Sequence, residues 1–331
     1  MVSTSPSRPP GLASRLVSGV LNIKPVFNVA RNRARTMMQR RAMNLGFDWQ
    51  REVDALRAKG EAKGEVQAKA TADLSPAWNQ ALAEVTNPEL TYPDYYLKPF
   101  HAYEDGNLGW GPALEVEVAA KTVHAQIWTG REVAGDPQGD ARLRESYHAV
   151  LQAQLPAAPQ RILDIGCSVG MSSFALQDAY PEAQIEGLDL SPYFLAVAQY
   201  RNQQRVEQGL PSITWHHGAG ESSGLPDQSF DLISVCLLFH ELPQNASLAL
   251  LQEGRRLLKP GGHFCFMDMN PQSEAHSKMP PYILTLLKST EPYIDQYFSL
   301  DVSQAFEQAG FVTPTITPNS PRHRTVIGRV A

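Results

Sequence analysis

The chain has 331 residues, 43% of them hydrophobic, with 29 Lys and Arg against 34 Asp and Glu. This is globular composition, long enough for one generous α/β domain with extra elements or for two small domains. A net charge of −5 and a pI near 6.0 argue against the basic face of a nucleic-acid binder.

Three cysteines, Cys167, Cys236 and Cys265, show no paired spacing. A disulfide framework or zinc site is not expected, no other metal site is assigned, and a reducing, cytoplasmic compartment is the simplest reading. The longest apolar run, Leu232 to Phe239, has eight residues including Ser234, whereas a spanning helix needs roughly 20.

Charge is distributed unevenly. Residues 1–47 hold eight basic side chains (Arg8, Arg15, Lys24, Arg31, Arg33, Arg35, Arg40 and Arg41) and no acid, so the other 284 residues carry −13. Residues 1–13 are Ser- and Pro-rich and read as disordered. From Val26 to Leu45, Phe27, Ala30, Ala34, Met38, Ala42 and Leu45 recur at helical spacing. A basic, partly amphipathic segment over 1–45 has three readings. Its residues 14–45 can lie on an anionic membrane, each nearby basic side chain adding about 1 kcal/mol. It can be a plastid or mitochondrial transit peptide. It can also be a helix packed on the acidic body.

Residues 46–149 read as a helical extension and an aromatic-rich cap. Over 48–85 a charged helix carries a thin stripe of Trp49, Val53 and Leu56 and is expected to be a surface helix or linker. Residues 91–110 contain six Phe, Tyr or Trp, broken by Pro and Gly, which disfavours a long helix. From about Ala141 onward, short β-branched runs alternate with helical patterns, the signature of βαβ units and a parallel sheet.

The segment Arg161 to Gly170, RILDIGCSVG, is an apolar strand entering a glycine turn, and a helix is predicted over Met171–Tyr180. Gly166 and Gly170 allow the backbone close approach to a ligand. Asp164, inside the strand end, needs a partner, either a cationic ligand or several N–H groups. The next strand, Ile185 to Leu190, places Asp189 19 residues after Gly170, where an acid accepts hydrogen bonds from ribose hydroxyls. Ser191 and Pro192 cap the following helix. A dinucleotide site would need G-x-G-x-x-G; this turn lacks the middle and final glycines, and Asp164 would repel a pyrophosphate. S-adenosylmethionine, with its sulfonium, ammonium and no phosphate, suits the residues better.

LDIGCSVG (163–170), GLDLS (187–191), PDQSFDLISVCLLFHELP (226–243) and LLKPGG (257–262) together resemble the ordered motifs of class I S-adenosylmethionine-dependent methyltransferases, in the branch acting on quinones and other small molecules. The resemblance covers roughly 150–331. It implies a Rossmann-like, doubly wound α/β fold whose seven-stranded sheet is mostly parallel with an antiparallel last strand. It implies that Asp164, Gly166, Cys167, Ser168 and Gly170 surround the methionine part of the cofactor and that Asp189 and Leu190 hold the ribose. Gly220, Glu221 and Cys236 complete the set. Ser168 stands where the family often has Gly, and Ala219 where it often has an acid near the adenine, which passes that role to backbone groups or Glu221.

On the acceptor side, Phe230–Cys236 is the predicted fourth strand. His240 beyond it is a candidate general base, with a structural role as the alternative. Glu241 is a second catalytic candidate or a positioning residue. A helix over 246–258 should turn at Lys259–Gly262 into a fifth strand, Phe264–Met269, making Lys259 structural and Asp268 a further acceptor-site candidate. An insertion over 271–300 precedes the helix Val302–Ala309 and is expected to be a lid. With the cap it supplies the substrate candidates Tyr96, His101, Tyr103, Trp110 and Tyr282. The reading is methyl transfer to a small, lipophilic or aromatic, quinol- or phenol-like acceptor. A catalytically inactive adenosylmethionine-binding partner and an NAD-dependent oxidoreductase are the alternatives.

Overall fold

The computed structural model describes residues 35–58, 74–101, 103–129 and 135–331, with the backbone alone at 281, 282, 285, 286 and 289. Most of the basic segment therefore lies outside the described residues.

Seven strands form one sheet: β1 (Arg161–Ile165), β2 (Gln184–Asp189), β3 (Thr214–His217), β4 (Phe230–Cys236), β5 (Leu258–Met269), β6 (Thr315–Pro318) and β7 (His323–Arg329). Their order is β3-β2-β1-β4-β5-β7-β6. β1 to β5 are parallel, and β7 runs antiparallel between β5 and β6. Strand order reverses beside β1, so its carboxyl end and that of β4 open the crevice in which such sheets bind ligands. The fifth strand begins earlier than its sequence implies. Leu258 pairs Phe230 and His263 pairs Leu232, so Lys259–Gly262 form a bulge inside β5, with Gly261 at φ 78°. Lys259 Nζ reaches Asp231 at 2.7 Å, a structural ion pair as expected.

The helices are α1 (35–44), α2 (Trp49–Arg57), α3 (Ala77–Val85), α4 (Trp110–His124), α5 (Gly139–Gln154), α6 (Met171–Ala179), α7 (Pro192–Glu207), α8 (Gln244–Leu257), α9 (Glu274–Ser277), α10 (Pro281–Thr290), α11 (Ile294–Phe298) and α12 (Val302–Gln308). α5 runs through residue 150. Phe264, Phe266 and Phe306 fill the core on one side of the sheet, and Tyr147, Leu151 and Leu176 that on the other.

Among the described residues of 48–85, a third apolar cluster favours the surface helix over the linker. Trp49, Val53 and Trp78 are buried with Leu114 and Phe194, and Trp78 Nε1 donates to the Leu56 carbonyl at 2.8 Å. Ala42 and Leu45 are buried in or against the body, so the last positions of the N-terminal stripe face protein. Arg35 pairs with Glu115. Among the described residues no helix is long and apolar enough to cross a membrane.

Candidate active site

A cleft of about 1060 Å³ opens over the carboxyl ends of β1, β2 and β4, roofed by the cap and by α9–α10. Its floor is the turn after β1. Gly166 (φ 72°), Ser168 (φ 51°) and Gly170 (φ 86°) all adopt the left-handed region, which favours glycine. The Gly166 and Cys167 amides donate to the Leu188 carbonyl at 2.8 and 3.2 Å, so they brace β2 while both residues line the cleft. One expectation needs correction. A Cβ on Gly170 would lie 2.8 Å from the Phe174 ring and 3.0 Å from Trp215; its missing side chain makes room for packing, and Gly170 does not line the cleft.

Asp164 also sits behind the cleft wall, fully buried. Its partners are hydroxyls at the start of α6. Ser172 and Ser173 both donate to Oδ2 at 2.6 Å, while Oδ1 has no partner. Burial pushes this carboxyl up to about 6, opposed by the two serines and the charge of Arg144. Asp189 does line the cleft. It accepts from the Ser168 amide on one oxygen and the Ser191 amide on the other, each at 2.8 Å, and burial lifts it to about 6 against those bonds. Leu190, Gly220 and Glu221 lie along the same wall. Glu221 accepts a hydrogen bond from Tyr95, a cap residue the sequence did not single out.

Cys167 and Cys236 line the cleft as thiols whose pKa burial raises. Arg144, also unforeseen, approaches the Cys236 sulfur at 3.5 Å and is anchored to Asp140 at 3.0 Å.

Beyond β4, a short 3₁₀ turn (Phe239–Glu241) presents His240 and Glu241. His240 Nδ1 lies 2.8 Å from Asp268 Oδ1, and its amide donates to Oδ2 at 3.2 Å. Asp268 is fully buried on β5. Burial alone would lower the imidazole pKa, but this carboxylate outweighs it and raises His240 to about 9. Pairing through Nδ1 fixes the tautomer and leaves Nε2 as the nitrogen available to a ligand.

Of the substrate candidates, Tyr96, His101 and Tyr103 line the cleft. Tyr103 donates to Glu115, which ties it to the Arg35 pair. Burial and the charges of Asp189 and Glu241 raise the Tyr96 phenol. His101 faces Glu241 and Glu291, whose charges outweigh desolvation and raise it to about 10. Burial raises Glu241. Trp110 is not part of the cleft: it packs on Trp78 and Tyr193 at centroid distances of 5.1 and 5.2 Å. The side chain of Tyr282 lies outside the described atoms.

The residues fit S-adenosylmethionine. An acid at the β2 tip retains accepting capacity toward hydroxyls, an orphan carboxylate oxygen of Asp164 lies behind the turn, and the turn offers no glycine pattern for a diphosphate.

Residues 162–262 match the family described as "Methyltransferase domain". An uncharacterized methyltransferase of Synechocystis is 29% identical over 168 residues, covering 50% of this chain and 74% of that protein. A trans-aconitate 2-methyltransferase of Methylobacterium nodulans is 36% identical over 155 residues, 44% and 55% of the two chains. A demethylmenaquinone methyltransferase of Geobacillus kaustophilus is 28% identical over 177 residues, 48% and 74%. The chain thus spans between about half and three quarters of these relatives' lengths.

Proposed function

We propose that this chain, a class I S-adenosylmethionine-dependent methyltransferase, methylates a small apolar acceptor with an acidic hydroxyl or enol, a phenol or quinol in type. S-adenosylmethionine supplies the methyl group as an activated sulfonium substituent. Displacement at such a carbon chiefly needs alignment and exclusion of water. Asp189 would hold the ribose, Asp164 would set the charge behind the turn, and the cap and lid would keep water out. Phe100, Leu238, Met269, Met279, Ile283 and Leu287 give the acceptor space its apolar lining. The likeness to a methyltransferase named for demethylmenaquinone supports an acceptor of this kind.

The observation that carries the reading is the His240–Asp268 pair at the cleft. Neutral His240 takes the acceptor proton on Nε2 as the methyl bond forms, and Asp268 stabilises the resulting imidazolium. Because His240 is held up to about 9, the neutral base is scarce at pH 7, and the rate with a phenolic acceptor should climb as pH rises toward 9. Removing a general base costs roughly 10²- to 10⁴-fold. His240→Ala should lose that much, and Asp268→Asn should slow the reaction while moving the rising limb toward the ordinary histidine value. Phenol methylation by His240→Ala at the wild-type rate would refute the base assignment.

We also propose a peripheral membrane role for the basic segment, now resting on residues 14–34 because Ala42 and Leu45 are buried. Reversing Arg15, Lys24, Arg31 and Arg33 to Glu should abolish sedimentation with anionic vesicles.

A further inference from the structure

We propose that His101, Glu241 and Glu291 form a divalent-cation site that fastens the cap to the lid across the cleft. The three residues come from separate elements: His101 from the aromatic cap segment, Glu241 from the turn after β4, and Glu291 from the carboxyl end of α10. Their ligand atoms all lie within 4.8 Å of one another. His101 Nε2 is 3.4 Å from Glu241 Oε1 and 3.2 Å from Glu291 Oε1. At a metal–ligand distance of about 2.1 Å, neighbouring donors stand about 3.0 Å apart at right angles and about 3.4 Å apart at the tetrahedral angle, which brackets both separations.

A second observation points the same way. Glu291 is buried, 6% exposed, and its Oε2 has no hydrogen-bond partner. A buried carboxylate oxygen left unpaired is costly, and a cation bound through Oε2, alone or together with Oε1, removes that cost. The backbone of His101 is in the left-handed region, φ 48°, yet its amide is held by the Thr290 carbonyl at 3.2 Å. Cap and lid are therefore already joined where the ligands converge. Side-chain exposures of 38% for His101 and 17% for Glu241 leave an entry path.

One imidazole and two carboxylates make a borderline donor set, better suited to Mn²⁺ or Zn²⁺ than to a soft ion. Three protein ligands leave coordination positions for water or for an acceptor oxygen.

The test uses the full chain, stripped with chelator and titrated with Mn²⁺ alone, following the free-ion electron paramagnetic resonance signal and the calorimetric heat. One equivalent should bind, and Glu291→Gln and His101→Gln should each weaken it at least tenfold while retaining the wild-type near-ultraviolet circular dichroism. No binding up to millimolar Mn²⁺, or equal binding by the variants, would overturn the site and leave the imidazolium–carboxylate bridge beside the His101–Thr290 backbone bond as the contact here. Neither readout involves an acceptor or turnover, so the outcome is independent of the methyl-transfer reading.

Discussion

Ser168 illustrates how a single residue at the floor of the cleft carries opposing demands. It holds φ 51°, where an L side chain costs about 1–2 kcal/mol, and its hydroxyl is buried without a partner. Its amide, however, is one of the two that hold Asp189, and glycine has the same amide. Ser168→Gly should therefore raise ligand-free stability by about 1 kcal/mol after the extra chain entropy of glycine is subtracted, seen as a higher melting temperature in calorimetry. A lower one would mean that the hydroxyl is doing something the ligand-free contacts do not record. Asp189 calls for a gentler substitution than alanine, which would strand the amides of Ser168 and Ser191. Asp189→Asn removes the charge and keeps one accepting oxygen, so it strands one of the two amides instead of both. Binding of S-adenosylmethionine should weaken by roughly 1.5–3 kcal/mol, as for hydrogen bonds to a charged group; unchanged affinity by titration calorimetry would remove the ribose assignment.

The cap is joined to the sheet at the tip of β3 through His217. Its Nδ1 accepts the Asn87 amide at 2.8 Å, and its Nε2 reaches the Leu190 carbonyl at 3.0 Å. Both contacts require the neutral ring with its proton on Nε2. Burial lowers the His217 pKa below 6.5, opposed by the Leu190 contact. The unfolded chain thus takes up a proton that the folded chain refuses. The stability this group contributes is complete above pH 6.5 and is lost as pH falls through the lower, folded value. His217→Asn preserves an oxygen to accept the Asn87 amide without the titration. Its melting temperature should drop less than that of the wild type between pH 7.5 and 5.5, and an equal drop would place the acid sensitivity elsewhere.

Across the molecule, the sheet brings two buried carboxylates, Asp164 and Asp189, to the same end of neighbouring strands, and both are lifted to about 6. Because these values exceed the ordinary 3.8, the folded chain binds protons that the unfolded one releases, and the associated stability fades as pH rises through 6. A cationic ligand reverses the preference, since it favours the ionised acids. Affinity for S-adenosylmethionine should therefore increase by up to about tenfold per pH unit per group below 6 and level off above it. Calorimetry at pH 5.0 and 7.5 checks this, and S-adenosylhomocysteine, which lacks the sulfonium charge, should respond less. Equal affinities at the two pH values would show that neither acid senses the cofactor's charge.

The alternating β and α periods, the glycine turn and the acid at the β2 tip were readable from the chain, because each answers to a local requirement of backbone geometry or main-chain hydrogen bonding. They sufficed for the parallel core and for the end of the sheet over which the cleft opens. Partnerships between distant side chains were not readable. His240 meets Asp268 only because β4 and β5 lie side by side, and Glu291 reaches His101 only because the lid folds back onto the cap. An aromatic residue advertises burial without saying against what, so Trp110 and Tyr96, both in one Tyr-rich segment, ended half-buried against the third apolar cluster and in the cleft respectively. Local periodicity encodes which face of an element is apolar; which loops converge over that face is set by strand order and by the packing of the cap, and these exist only in three dimensions.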